Sequence, residues 1–176
     1  MKEYTINLKL LNAVTPAVCL DSQRYYLCGV YIDDRDGFRH YTATNGHMLL
    51  TARETINGET LERPLLLGIK KAIKSKFEEV SLKVVDNTTA VIYAENKVVF
   101  DILDYEYPPY ERVIPAETTP QATKYTIFEP SYLEEINKFI GDKCKVPLME
   151  EIFNPALWIV EDGDVKKRAV LMPLRF

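Results

Sequence analysis

Apolar and polar residues alternate over residues 25–33, 38–44 and 48–55, and the alternation predicts three strands in series. Asp34-Arg35-Asp36-Gly37 joins the first two and Asn45-Gly46 the last two, both sequences suited to antiparallel hairpins. Ahead of them, residues 4–8 alternate like a strand. Residues 9–18 carry Leu10, Leu11, Val14 and Val18 at helical spacing, with Pro16 placed to kink or end that helix. The order is strand, helix, three strands.

That order returns twice. After Arg63-Pro64-Leu65-Leu66-Leu67 a helix is expected over residues 68–77, with Ile69, Ile73 and Phe77 as its buried stripe. Strands follow at 80–86, 89–94 and 97–102, turning at Asp86-Asn87 and Glu95-Asn96. A proline-rich stretch at 105–120 interrupts the series and excludes a helix. Beyond it come a strand at 125–128, a helix opened by Pro130 and stopped by Gly141, and strands at 145–149, 156–161 and 168–172. Three β-α-β-β-β units predict an α+β protein with antiparallel sheets and its helices on one face. The expected division is residues 1–104 as a domain of two units, 105–123 as a connector, and 124–176 as a half domain of one unit.

Composition narrows the function more than the fold. The 176 residues carry a net charge of -4, which argues against general attraction to nucleic acid while leaving room for a local basic face. No apolar run is long enough to span a bilayer, and the first residues lack the apolar stretch of a signal peptide, so a cytoplasmic protein with no membrane partner is expected. Cys19, Cys28 and Cys144 form no CxxC and are odd in number, which fits a reducing compartment and small buried side chains. His40 and His47 stand at no metal-ligand spacing with them, and neither a Gly-rich phosphate loop nor a nucleophile elbow occurs. Asp33, Asp34 and Asp36 are better explained by the hairpin at Gly37 than by a cation. No enzyme activity, cofactor or metal is therefore expected. The final apolar run, Ala169 to Phe176, is expected to end in or beside a groove, either as a plain last strand or as part of a site.

Three segments carry a family resemblance. Arg24-Tyr25-Tyr26-Leu27-Cys28-Gly29-Val30 with Thr44-Asn45-Gly46-His47-Met48-Leu49, the connector Tyr107-Pro108-Pro109-Tyr110-Glu111-Arg112-Val113-Ile114-Pro115, and Tyr132 with the run Val170 to Phe176 resemble the bacterial sliding clamp, the β subunit of DNA polymerase III. They match the middle domain, its outgoing connector, and the second half of the last domain. Counterparts of the family's first domain and of the first half of its last domain, which close its dimeric ring, are not found. The resemblance implies a DNA-clamp-like fold and a groove that receives short, partly apolar docking peptides.

Carried over position by position, the groove comprises Leu27, Thr44, Gly46, His47, Leu49, Pro108, Arg112, Val113, Tyr132, Val170, Leu171, Met172, Pro173, Leu174 and Arg175, with the Phe176 carboxylate at its edge. Gly46 permits close backbone approach, His47 and Arg112 offer polar rim contacts, and Tyr132 is a movable gate. Read without the resemblance, the same residues are core between two sheets. Asn45, Met48 and Pro109 depart from the family's usual acidic, basic and acidic residues, which makes the rim more apolar. Lys70, Lys71 and Lys74 would line one side of the expected 68–77 helix, either as an ordinary solvated face or as a face resting on DNA phosphates without reading sequence. The expected function is a clamp-like processivity or interaction protein that docks DNA polymerase or other replication and repair proteins and tethers them to double-stranded DNA, as a homo-oligomer if it encircles the duplex. The alternative is a monomeric decoy or regulator that occupies the same docking motifs.

Overall fold

A computed structural model describes residues 2–121, 126–141 and 145–174. The chain runs through β1 (Lys2–Asn7), α1 (Leu8–Val14), 3-10 turns at Thr15–Ala17 and Ser22–Leu27, then β2 (Val30–Arg35), β3 (Phe38–Thr44) and β4 (Met48–Thr55). Next come β5 (Leu65–Leu67), β6 (Glu79–Val84), β7 (Thr89–Tyr93) and β8 (Lys97–Asp101). Past the connector lie α2 (Pro130–Ile140), β9 (Ala156–Asp162) and β10 (Val165–Leu171). Every strand pairing among the described residues is antiparallel, so the protein is α+β as expected. Among those residues no helix is long and apolar enough to cross a membrane.

Local chemistry sets the element ends. Asn45 Oδ1 accepts from the His47 and Met48 amides, each at 2.9 Å, and closes the turn between β3 and β4. Asp36 and Gly37 both take positive φ (53° and 81°), the two-residue turn that matches strand twist. Asp34 meanwhile grips Arg39 through two hydrogen bonds of 2.8 and 2.7 Å, so this acidic run serves the hairpin. Asn7 caps α1 by accepting from the Leu10 amide at 3.1 Å. Pro130 starts α2, and Gly141 ends it in the left-handed region at φ 80°.

The strands form a four-stranded sheet, β1-β6-β7-β8, and a six-stranded sheet, β5-β2-β3-β4-β10-β9. The first two units thus exchange their leading strands: β1 joins β6, and β5 joins β2. The last unit adds its strands to the first, with Val170 opposite Leu49 and Leu171 opposite Met48. One continuous sheet therefore passes beneath the connector.

Period-two alternation divides that sheet between two cores. Tyr41, Ala43, Leu50, Ala52, Ala169 and Leu171 face the main core together with Leu11 and Val14 of α1 and Ile136 and Phe139 of α2. The opposite face gathers Leu49, Leu157 and Val170 with Leu27, Leu66, Tyr107 and Tyr110. Cys19 and Cys28 are free, buried thiols in that second cluster, whereas Cys144 lies outside the described residues.

Four expectations are corrected. Residues 25–29 are not strand, because Asp21 accepts from the Gln23 amide at 2.9 Å and caps a 3-10 turn over Ser22–Leu27. Residues 68–77 form no helix, so the second unit is β-β-β-β, and Phe77 is exposed while Ile69 and Ile73 are buried. The backbone there finds partners elsewhere: the Asn12 side-chain amide donates to the Ile73 carbonyl and accepts from its N–H, both at 2.8 Å, and Glu95 accepts from Lys76 N at 2.9 Å. Lys70 and Lys74, four apart, would also repel on a helix. Residues 126–128 are irregular, with Tyr125 outside the described residues. The stretch 145–149 contributes only single bridges through Leu148, to Gln121 and Leu157.

Candidate docking groove

A cavity of about 280 Å³ opens on the face of the six-stranded sheet away from the helices. Three segments distant in sequence make most of its wall, and a fourth completes it. The β3–β4 hairpin supplies Thr44, Gly46, His47, Met48 and Leu49, the connector supplies Pro108, Pro109, Tyr110 and Val113, and the end of β10 supplies Val170 and Met172. Tyr26 and Leu27 close one side. No lining residue is an acid, a lysine or an arginine, so the cavity suits an uncharged apolar group.

The connector is held down over this face by aromatic packing. Tyr107 stacks on Tyr31 with ring centroids 4.6 Å apart and planes 5° from parallel, and Tyr110 meets both rings edge-on. Burial pushes the Tyr107 and Tyr110 hydroxyls well above the usual tyrosine range. Arg35 donates to the Tyr110 hydroxyl and pairs with Glu111, fixing the 3-10 turn at Tyr110–Val113 to β2. The groove wall is thus anchored from outside the cavity by Tyr31, Arg35, Tyr107 and Glu111, which hold the lining residue Tyr110 in place.

Gly46 is required where it stands. Its φ is 89°, and a Cβ there would lie 2.6 Å from Nη1 of Arg24. That guanidinium donates to the Asn45 carbonyl at 3.1 Å, tying the Ser22–Leu27 turn to the hairpin tip. Exposed His47 stacks against Tyr132 of α2, with centroids 6.1 Å apart and planes 16° from parallel, and its carbonyl accepts from the Met172 amide at 3.0 Å.

Nine of the expected residues line the cavity together: Leu27, Thr44, Gly46, His47, Leu49, Pro108, Val113, Val170 and Met172. Tyr132 stands beside the His47 wall but does not line the cavity. Arg112 lies in an adjoining cavity of about 400 Å³, which shares Val113 and Met172 with the first. Leu171 is placed differently from the expectation: strand alternation turns it, fully buried, into the helix-side core. Pro173 is buried, and Leu174 is exposed with its amide donating to the Ile127 carbonyl at 2.8 Å. Arg175 and Phe176 lie outside the described residues.

Tyr26, Pro109 and Tyr110 complete the lining without having been singled out as walls. Each neighbours a chosen residue, and only the folded turn shows that its side chain shares the space. Met48, expected at the rim, is 1% exposed and belongs to the main core as well as the cavity wall.

Further along the same face, beneath the connector, Asp33 and His40 sit opposite each other on β2 and β3. Burial raises Asp33 to about 6 against the pull of Arg35, 3.3 Å away. Burial, reinforced by the charges of Arg35, Arg168 and Arg53, lowers His40 to about 4.

Lys70, Lys71 and Lys74 stand apart from the groove, around a shallow concavity of about 490 Å³ floored by Ile73, Val98 and Phe100. They occupy an irregular segment, so the predicted helical face does not exist. Among the described residues α1 and α2 offer no unopposed cation either: Lys9 pairs with Glu78, and Lys138 pairs with Glu134 and Glu135.

No family model and no curated protein matches the chain. Solved structures do. The sliding clamp (DNA polymerase III β subunit) of Bartonella birtlesii, bound to griselimycin, superposes with a TM-score of 0.78 at 17% identity, covering 99% of this chain and 66% of the clamp. The β chain from Streptococcus pneumoniae gives a TM-score of 0.79 at 15% identity, over 100% of this chain and 65% of that one. The Caulobacter crescentus β clamp, with polyethylene glycol bound in a region assigned to β-motif tethering, gives 0.78 at 17%, over 100% and 66%. The chain therefore has the sliding-clamp fold along its whole length and spans about two thirds of the clamps it matches.

Proposed function

We propose that this protein is a clamp-type docking module, which holds DNA polymerase or other replication and repair proteins by short apolar peptides seated between the β3–β4 hairpin, the connector and the end of β10. The observation that carries the reading is the uncharged cavity itself, built mostly by three segments distant in sequence on a preformed sheet. The clamp fold supports it, as does the ligand bound in the tethering region of the Caulobacter clamp. The role involves no chemistry on the partner. Residues 1–104 and 124–176 act as the two sides of the site, and 105–123 as the strap across it.

The test is calorimetric titration with a capped peptide whose only apolar residues are leucine and phenylalanine. Wild type is expected to bind it, and Val113→Asp, at a half-exposed lining position, to weaken binding by about tenfold or more through an unpaired charge at the wall. No binding by wild type, or equal binding by the variant, rejects the groove.

A second reading, the monomeric regulator that occupies docking motifs without encircling DNA, is favoured by one observation. Among the described residues α1 and α2 carry no unopposed basic face, Lys70, Lys71 and Lys74 lying on an irregular segment instead. Sedimentation separates the two: a closed homo-oligomer supports the ring, and a monomer at high concentration supports the regulator.

A further inference from the structure

Beside the cavity mouth the surface carries aromatic rings that the groove does not use. Tyr25 and Tyr105 pack against each other with centroids 4.4 Å apart, yet each remains about half exposed, at 51% and 49%. Tyr26 stands edge-on to Tyr25 at 5.7 Å and is itself part of the cavity wall, so the ring pair and the cavity form one continuous surface. Clustered exposed ring faces mark an interaction surface in a way that rings scattered singly do not.

Charge says what that is. Tyr105 lies between Asp104 and Glu106 in sequence, both exposed, and neither carboxylate has a hydrogen-bond or ion-pair partner among the described residues. The cation next to Tyr25 in sequence is turned to the hairpin tip, where Arg24 donates to the Asn45 carbonyl at 3.1 Å. Exposed ring faces on a segment with an exposed carboxylate at each neighbouring residue attract a guanidinium or an ammonium and repel a phosphate.

We propose that the Tyr25–Tyr105 shelf is a second subsite that takes an arginine or lysine flanking the apolar docking peptide. The inference rests on the groove reading and specifies its partner: a docking segment with a basic flank. The cation lies over the rings while the carboxylates of Asp104 and Glu106 answer its charge. The subsite then discriminates among docking motifs that the uncharged cavity accepts equally.

The experiment compares capped peptides with one leucine-phenylalanine core and an arginine, alanine or glutamate flank, on wild type, Tyr105→Ala and Asp104→Asn/Glu106→Gln. None of these three residues lines the cavity. In wild type at low salt the arginine flank is expected to tighten binding about two- to fivefold over alanine, and the glutamate flank to weaken it. Both variants should lose that gain while holding the alanine-flanked peptide as wild type does. Equal affinity for all three flanks on wild type, or a gain surviving in Tyr105→Ala, overturns the subsite. A peptide of the arginine flank without the core is titrated in parallel against the tyrosine NMR signals. Shifts at Tyr25 and Tyr105 with no binding of the alanine-flanked peptide would leave the subsite standing and reject the groove. Oligothymidine binding that is lost in Tyr105→Ala would reassign the shelf to single-stranded nucleic acid and overturn the proposal.

Discussion

On the helix side of the six-stranded sheet, Leu50, Ala169 and Leu171 are sealed beneath α1 and α2; on the other side their strand neighbours Leu49, Val170 and Leu157 meet the connector tyrosines, and a cavity remains. The same strands build both faces, one side chain up and the next down. The difference lies in the cover. Helices bring continuous apolar stripes, whereas the proline-rich strap packs on the sheet through Tyr107, Tyr110 and Ile114 and adds a polar tie, the ion pair of Glu117 with Lys166 of β10. A sheet covered by a strap keeps an accessible hollow without giving up its other core.

The largest expected effect separates the two faces directly. Leu50→Ala removes a fully buried side chain on the helix side and should cost about 2–5 kcal/mol in urea unfolding, with peptide affinity of the folded protein unchanged. Val113→Ala trims a half-exposed residue at the cavity and should move stability by less than about 0.5 kcal/mol. Its peptide affinity should nonetheless fall severalfold. The opposite ordering would break the comparison.

A smaller effect probes the strap side through pH. Asp33 is raised from 3.8 to about 6, so its contribution to stability is fully present below pH 3.8 and is lost as pH rises through 6. His40 is lowered from 6.5 to about 4, so its contribution is present above pH 6.5 and is lost as pH falls toward 4. The two slopes oppose each other over nearly the same window, and wild-type stability should change little between pH 4 and 6.5 on their account. Asp33→Asn should leave stability falling with acid, and His40→Asn should leave it rising. Denaturation midpoints across that range check both signs, and parallel curves for the two variants would contradict the buried pair.

The smallest effect concerns the surface remote from the groove. Replacing Lys70, Lys71 and Lys74 by glutamine should leave peptide affinity and stability nearly unchanged. If these lysines ride on duplex phosphates, the substitution should also flatten the salt dependence of DNA affinity. Wild type without DNA affinity would confine the protein to the docking face.

The contrast between those regions explains what the sequence makes legible. β3, β4 and α2 lie where the pattern puts them, because their ends are set by local chemistry: the Asn45-Gly46 turn, Pro130, and Gly141. The 68–77 segment has equally good helical spacing, but Asn12, some sixty residues away, takes the Ile73 backbone bonds that a helix would need. Exchange of β1 and β5 between the sheets is likewise a long-range choice that periodicity does not carry. Within the site, the three contributing segments are readable from their motifs. Which face each side chain takes is only partly so: Val170 and Leu171 are consecutive on a strand and must point opposite ways. The Asp21 cap before Ser22 was the available signal that Tyr25 and Tyr26 sit on a turn rather than a strand.

The most direct measurement of the central claim is a crystal structure of the protein with the leucine-phenylalanine peptide. The account predicts an apolar peptide side chain in the hollow bounded by Leu49, Pro108, Val113 and Val170, with the sheet and strap unmoved around it. A peptide bound anywhere else on the chain, or a hollow left empty at saturating peptide, would contradict it.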